Sequence, residues 1–142
     1  MAIPLWVGHY IGLPFKVRGR KIDGLDCWGL VRLVIAEQAG VLLPAFEKNY
    51  DGISTKLDAE KIGAHIRSTA GNTDCWDPIA PGQEKIFNVI VLRMRGQPMH
   101  VGIVIDDGLM LHIEHGANSC IEKYHGMRWK DLIYGFYRHV SI

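Results

Sequence analysis

The stretch Gly24-Leu25-Asp26-Cys27-Trp28-Gly29-Leu30-Val31-Arg32-Leu33-Val34-Ile35 decides how this chain is read. A loop ends in Asp26, and an apolar segment follows with Leu30, Leu33 and Val34 at helical spacing. Asp26 is a good N-cap, since its carboxylate can accept a backbone N–H of the first turn. Cys27 then falls at a helix N-terminus, where unpaired N–H groups and the helix dipole favour an anion. The reactive form of cysteine is a thiolate, which is an anion. The position therefore suits a nucleophile, although an isolated cysteine is more often a small packed hydrophobe. Catalysis requires in addition a base, and a group that orients the base.

Outward from this stretch, the helix is expected to run from 27 to about 39, with Gly40 as its stop. Residues 1–13 are apolar, interrupted by Pro4, Gly8 and Gly12, and read as a short helix or turn packed on the body. Residues 16–21 read as a basic loop whose Arg18, Arg20 and Lys21 form a solvated face. Thr55 can cap a second helix over about 56–69, with Leu57, Ile62 and Ile66 as its apolar stripe. Residues 71–83, with two prolines, read as a long loop. Strand-like runs follow at 86–93, 99–105, 109–113, 119–123 and 132–140. Arg95-Gly96-Gln97-Pro98 and Asp106-Asp107-Gly108 read as the first two turns between them. Helices first and an antiparallel meander afterwards predict one α+β domain over 1–142, with helices on one side of a sheet.

The totals narrow the function. The chain has 142 residues, 48% hydrophobic and 22% charged, enough for one domain with a real core. A net charge of +1 gives no sign of nucleic-acid binding. No apolar run reaches the length of a membrane span. Three cysteines far apart in sequence argue against a disulfide framework and for a reducing compartment. The opening Met-Ala-Ile-Pro-Leu-Trp lacks the basic and apolar segments of a signal peptide. Synthesis in the cytoplasm is the expectation, with delivery to any outside substrate by another route.

Two histidines can complete the chemistry. His100 opens the run His100-Val101-Gly102-Ile103-Val104, and His112 stands near the end of the next run. The tight turn between the runs makes rough cross-strand pairing of the two plausible. If both point to one face, one imidazole takes the thiol proton, and the other fixes its tautomer and steadies the imidazolium. A thiolate–imidazolium pair with Cys27 would depress the thiol pKa. Neither histidine is informative alone, since a half-buried strand histidine is common; together with Cys27 they favour catalysis. Asp74-Cys75-Trp76 repeats the central tripeptide but leads into Asp77-Pro78, and reads as a loop cysteine. Cys120 reads as a core residue of its strand. His112, His115 and Cys120 suggest a metal at first glance, but their spacing matches no common zinc pattern, so no metal or other cofactor is expected.

Gly24-Leu25-Asp26-Cys27-Trp28-Gly29-Leu30-Val31, His100-Val101-Gly102-Ile103-Val104 and Met110-Leu111-His112-Ile113 together resemble the NlpC-type cell-wall cysteine peptidases. Leu13-Pro14-Phe15 matches that family's Pro-Tyr segment. The resemblance implies a stripped-down, rearranged papain-like fold that cleaves peptide bonds in the peptidoglycan stem. It implies Cys27 as nucleophile, His100 as base and His112 as orienter, with the Cys27 N–H in the oxyanion hole. It places Phe15, Trp28 and Asp26 at the substrate. Phe15 lacks the hydroxyl of the family's tyrosine, and Trp28 replaces its common serine; for a tryptophan, packing on the sheet is the more usual fate. The tryptophan variant is similar to the branch found in phage tails and gene-transfer particles. That branch implies a tail-tip component carried in the particle, with peptidoglycan as substrate and other tail-tip proteins as partners. The alternatives are an assembly module that keeps a vestigial site, and an amidase or acyl-transferase on the same fold.

Overall fold

The computed structural model describes residues 3–45, 76–94 and 97–142, with residues 97–99 described through their backbone alone. The helix expected over 56–69 and the loop cysteine Cys75 lie outside the described residues. Pro4 leads into a 3₁₀ turn over Leu5–Tyr10 that buries Val7 and Tyr10. A two-residue hairpin follows, β1 (Arg20–Lys21) against β2 (Gly24–Leu25). Arg20 is not part of a solvated face. Its side chain is 7% exposed and meets Asp26 Oδ1 at 2.7 Å. It also donates to the carbonyls of Gly19 and Ala45. A basic run viewed alone shows no such buried partner, and here the acid six residues downstream turns the guanidinium inward.

Helix α1 covers Cys27–Val34. Asp26 caps it in the expected way, accepting the Gly29 N–H at 2.7 Å. The helical path continues as a wider π turn over Ile35–Ala39 and ends at Gly40, whose φ of 73° is left-handed. Trp28, Leu30, Val31 and Val34 are buried. Each buried aliphatic side chain among them contributes about 1.5–3 kcal/mol of hydrophobic stabilisation.

The sheet has six strands in the order β3-β8-β4-β5-β6-β7, with every pairing antiparallel. They are β3 (Trp76–Ile79), β4 (Val89–Met94), β5 (Gln97–Asp106), β6 (Leu109–His112), β7 (Cys120–Lys123) and β8 (Ile133–His139). The meander β4 to β7 follows the sequence expectation, and β8 returns to β4. Two boundaries differ. Gln97 pairs with Met94, so β5 opens where a turn was expected. Residues 76–79, expected in a loop, form the edge strand β3 against β8. An edge strand tolerates Pro78, because one side of it needs no ladder hydrogen bonds.

Both faces of the sheet are covered. Val89 and Val91 of β4 pack with Val101, Ile103, Leu111 and α1. Ile90 and Leu92 alternate to the other face, where Val104, Met110, Tyr124, Trp129 and Phe136 form a second cluster. The helical side matches the expected α+β arrangement. The second cover, built from the segment after β7, carries no helical or strand periodicity and is visible only once folded.

The hairpin sits against α1 so closely that side chains are excluded. A Cβ on Gly29 would lie 2.0 Å from the Gly19 carbonyl oxygen. Gly29→Ala should therefore force the hairpin off the helix and cost about 1–3 kcal/mol, as overpacking does. Thermal unfolding should show a clearly lowered Tm; an unchanged Tm would mean that the contact is not tight.

Candidate active site

Cys27 opens α1 and is half-buried against the helix-side core. Its sulfur accepts backbone N–H groups from Trp28 and from Val101, the residue after His100. Strand N–H groups point along the sheet rather than out of it. Cys27 thus meets the flank of β5 beside the histidine. Its thiol is not activated as the helix-start argument expects. Burial first, and the Asp26 carboxylate second, push it up to about 12, against the lowering effect of the two N–H groups and Arg20. The acid that caps the helix is an anion beside the thiol, and the dipole does not overcome both effects.

His100 and His112 lie on one face and touch, with 2.8 Å between His100 Nε2 and His112 Nδ1. They are 4% and 1% exposed. Gly102 makes room for them: a Cβ there would stand 3.3 Å from the Cβ of His112. In β4, Leu92 faces His100 and Ile90 faces Gly102, so both rings emerge on the sheet face of the second cluster, opposite α1. Trp129 closes over them, stacked on His100 at 5.5 Å and edge-on to His112 at 5.4 Å. Among the described residues, no hydrogen bond joins the Cys27 sulfur to either ring.

The chain of contacts continues. His112 Nε2 lies 2.8 Å from Glu122 Oε1. The second Glu122 oxygen accepts the Trp129 indole N–H at 3.0 Å, and Arg128 donates to the first at 2.9 Å. Burial alone would raise the Glu122 carboxyl, but the Trp129 and His112 donors and the Arg128 charge outweigh it and hold it below the usual range. An ionised carboxylate only accepts, so His112 Nε2 carries a proton and donates it. The Nδ1 of a neutral His112 must then accept, so His100 Nε2 donates to it. The lone pair of His100 is left on Nδ1. Burial first, then His112 and Arg128, push the His100 imidazolium down to about 3, so this ring is neutral at rest.

The other candidates take supporting places. Asp26 is engaged by Arg20 and the Gly29 N–H. Trp28 has no exposed surface, and its indole donates to the Pro44 carbonyl at 2.7 Å. Neither has a free face for a substrate. Phe15 is half-buried, bridges to Leu25, and meets His115 edge-on at 5.3 Å. Glu122, Trp129 and Arg128 were not singled out in the sequence. A signal for Glu122 existed: Cys120 pairs with His112, and a residue two further along a strand returns to the same face.

The buried neutral ring has a consequence for stability. The folded His100 refuses a proton that the unfolded chain binds from about pH 6.5 downward. Its contribution is intact above that pH and falls by about 1.4 kcal/mol per unit down to about pH 3. Tm should drop on acidification through this window, and His100→Gln should flatten the slope. A flat wild-type profile would show that the ring is not held neutral.

The NlpC/P60 family profile matches residues 12–138. No curated protein matches the chain in sequence. In structure it is similar to the NlpC/p60 domain of the peptidoglycan hydrolase SagA, with 17% identity, TM-score 0.59, and 92% of this chain and 91% of that one covered. It is similar to an NlpC/P60 family protein from Bacillus cereus ATCC 10987, with 18% identity and TM-score 0.64, covering 94% of this chain but 37% of that one. The P60 domain of an antigen from M. avium subspecies paratuberculosis gives 19% identity and TM-score 0.55, with 95% and 89% covered. The chain therefore spans little more than a third of the length of the Bacillus cereus protein. Likenesses at this identity speak for the fold, and the family rests on the profile across most of the chain: this protein belongs to the NlpC/P60 family and has its papain-like fold.

Proposed function

We propose that this protein is a cysteine peptidase that hydrolyses amide bonds in bacterial peptidoglycan stem peptides, with Cys27 as nucleophile, His100 as base and His112 as orienter. The observation that carries the reading is the run His100–His112–Glu122, which leaves a lone pair on His100 Nδ1 in the residue adjoining the N–H bonded to Cys27. Membership of the NlpC/P60 family and the likeness to the domain of a peptidoglycan hydrolase support the substrate class.

In this reading the resting site is a neutral thiol beside a neutral imidazole. Proton transfer from Cys27 to His100 accompanies attack on the scissile carbonyl, since neither ion is stable beforehand. The new C–S bond puts charge on the carbonyl oxygen, which the Cys27 N–H can stabilise. His100 then returns the proton to the leaving amine, and the acyl-enzyme is cleared by water, with His100 again as base. In the free protein the sulfur lies at the flank of β5 and the His100 ring on the sheet face opposite α1, so this reading requires substrate binding to bring His100 Nδ1 to the sulfur. Cys27→Ala should reduce cleavage of purified muropeptides to background while leaving Tm nearly unchanged. Undiminished cleavage would refute the assignment.

The raised thiol pKa also favours a second reading, an assembly module with a vestigial site. Intact wild type that cleaves neither sacculi nor muropeptides would establish that reading over the peptidase. An amidase or acyl-transferase would show itself in the masses of the digestion products. From the Trp28 variant of the motif we further propose that the protein works at a phage or phage-like tail tip, beside other tail-tip proteins. Its absence from purified particles of a producing strain would exclude this.

Iodoacetamide labelling mapped to the Cys27 peptide should be slow at pH 7 and accelerate about tenfold per pH unit, with no plateau before about pH 12. A plateau near neutrality would show an activated thiolate instead.

A further inference from the structure

We propose that His112 Nε2, Cys120 Sγ and the Glu122 carboxylate form a site for a thiophilic divalent cation, zinc foremost, and that its occupation reverses the tautomers of His112 and His100. Cys120 lies directly across from His112 in the β6–β7 ladder, and Glu122 follows on the same face. The three donor atoms lie within 4.8 Å of one another. The sulfur stands 3.7 Å from His112 Nε2 and 3.9 Å from Glu122 Oε1. Tetrahedral zinc with ordinary bond lengths places sulfur about 3.6 Å from nitrogen or oxygen, and nitrogen about 3.4 Å from oxygen. Two edges of the triangle are thus nearly in place. The third, 2.8 Å between His112 and Glu122, has to open as the ion takes the place of the shared proton.

The donor chemistry narrows the ion. Thiolate, imidazole and carboxylate suit zinc, and three protein ligands leave a fourth position for water. Cys120 is half-buried, which gives the ion a way in. Trp129 holds the second oxygen of Glu122, so the carboxylate stays oriented while the first oxygen turns to the metal. Arg128 opposes occupation, because its guanidinium bonds that first oxygen. Its side chain is 54% exposed, and it can swing away while keeping Glu114 within reach.

Occupation leaves each imidazole neutral. Cys120 gives its thiol proton to solvent and binds as thiolate. His112 loses the Nε2 proton to solvent and takes up the proton on His100 Nε2 at its own Nδ1. His100 takes one from solvent at Nδ1. Each ring ends with one proton, now on the opposite nitrogen, and His100 has no lone pair at Nδ1. The ion site stands on the donor set alone. Its consequence, a peptidase switched off by metal, rests on the function proposed above.

The test uses the full chain with Cys27→Ala and Cys75→Ser, which leaves Cys120 as the only thiol. Cobalt(II) titration should give a sulfur-to-metal charge-transfer band saturating at one equivalent. Cys120→Ser should abolish the band and weaken binding at least tenfold, and Arg128→Gln should tighten it severalfold. Zinc should move the ¹⁵N signals of both rings to the opposite tautomer. A missing band, or a band indifferent to Cys120→Ser, overturns the site. A band without a change of tautomer overturns the switch. In the chain with only Cys75→Ser, zinc should reduce muropeptide cleavage at least tenfold, reversibly with chelator, and adding Cys120→Ser should relieve it. If cleavage persists with zinc bound, the switch fails; if no metal-free chain cleaves, the peptidase reading fails and the ion site remains, judged by the band.

Discussion

The carboxylate of Asp26 holds the functional end of this fold together. One of its oxygens caps α1 through the Gly29 N–H and meets the Arg20 guanidinium at 2.7 Å. Arg20 in turn ties the hairpin and the Ala45 carbonyl to the helix start. The ion pair is almost wholly inside, with side chains 7% and 12% exposed. Removing one partner of such a pair leaves a buried charge uncompensated, at a cost of about 3–5 kcal/mol. The glycines follow from it. With the hairpin drawn this close, position 29 admits no Cβ, and the Asp-Cys-x-Gly pattern reads as one packing solution with the cysteine in its middle.

The second constraint comes from the other end of the site. Glu122 can only accept, and that fact propagates through two rings to set which nitrogen of His100 bears the lone pair. A carboxylate whose side chain is 26% exposed directs the protonation of an imidazole that is 4% exposed. Trp129 keeps the relay dry by stacking on one ring and bonding the carboxylate that anchors the other. Low local dielectric strengthens each of these bonds and makes an unpaired ring nitrogen costly. The order of the protons is therefore a property of the pocket as a whole.

Much of this was legible in the sequence, for reasons that differ by residue. Asp26 and Cys27 could be placed because helix capping is local and depends on a few neighbours. His100 and His112 could be brought together because a two-residue turn fixes cross-strand geometry over a short span. Arg20 could not, because whether a basic side chain turns inward depends on an acid that the fold brings to it. The segment after β7 has no period, so Trp129 could not be assigned to the relay from spacing. Strand β3 was hidden by Pro78, whose tolerance depends on lying at an edge, a fact of topology rather than of sequence. The high pKa of the thiol is hidden from the sequence for a related reason. The dipole at a helix start is visible in a pattern, and burial is not.

The raised thiol pKa bears on how such a site can work. A helix N-terminus lowers a thiol pKa only where the surroundings leave the charge some solvation. Here the capping acid adjoins the sulfur and burial takes the thiol out of water, so the two effects that build the site also keep it neutral. Burial acts oppositely on the base, pushing the imidazolium down. A thiol held high and an imidazole held low cannot exchange a proton spontaneously. A partner that supplies a developing oxyanion and a leaving amine changes both balances at once, because each new charge then has a counterpart within the pocket. Arg20, which already offsets part of the Asp26 effect on the sulfur, sits where it tempers this opposition without abolishing it. In the proposed peptidase, reactivity would therefore belong to the complex with substrate, while in the free protein burial and Asp26 hold the thiol protonated at neutral pH.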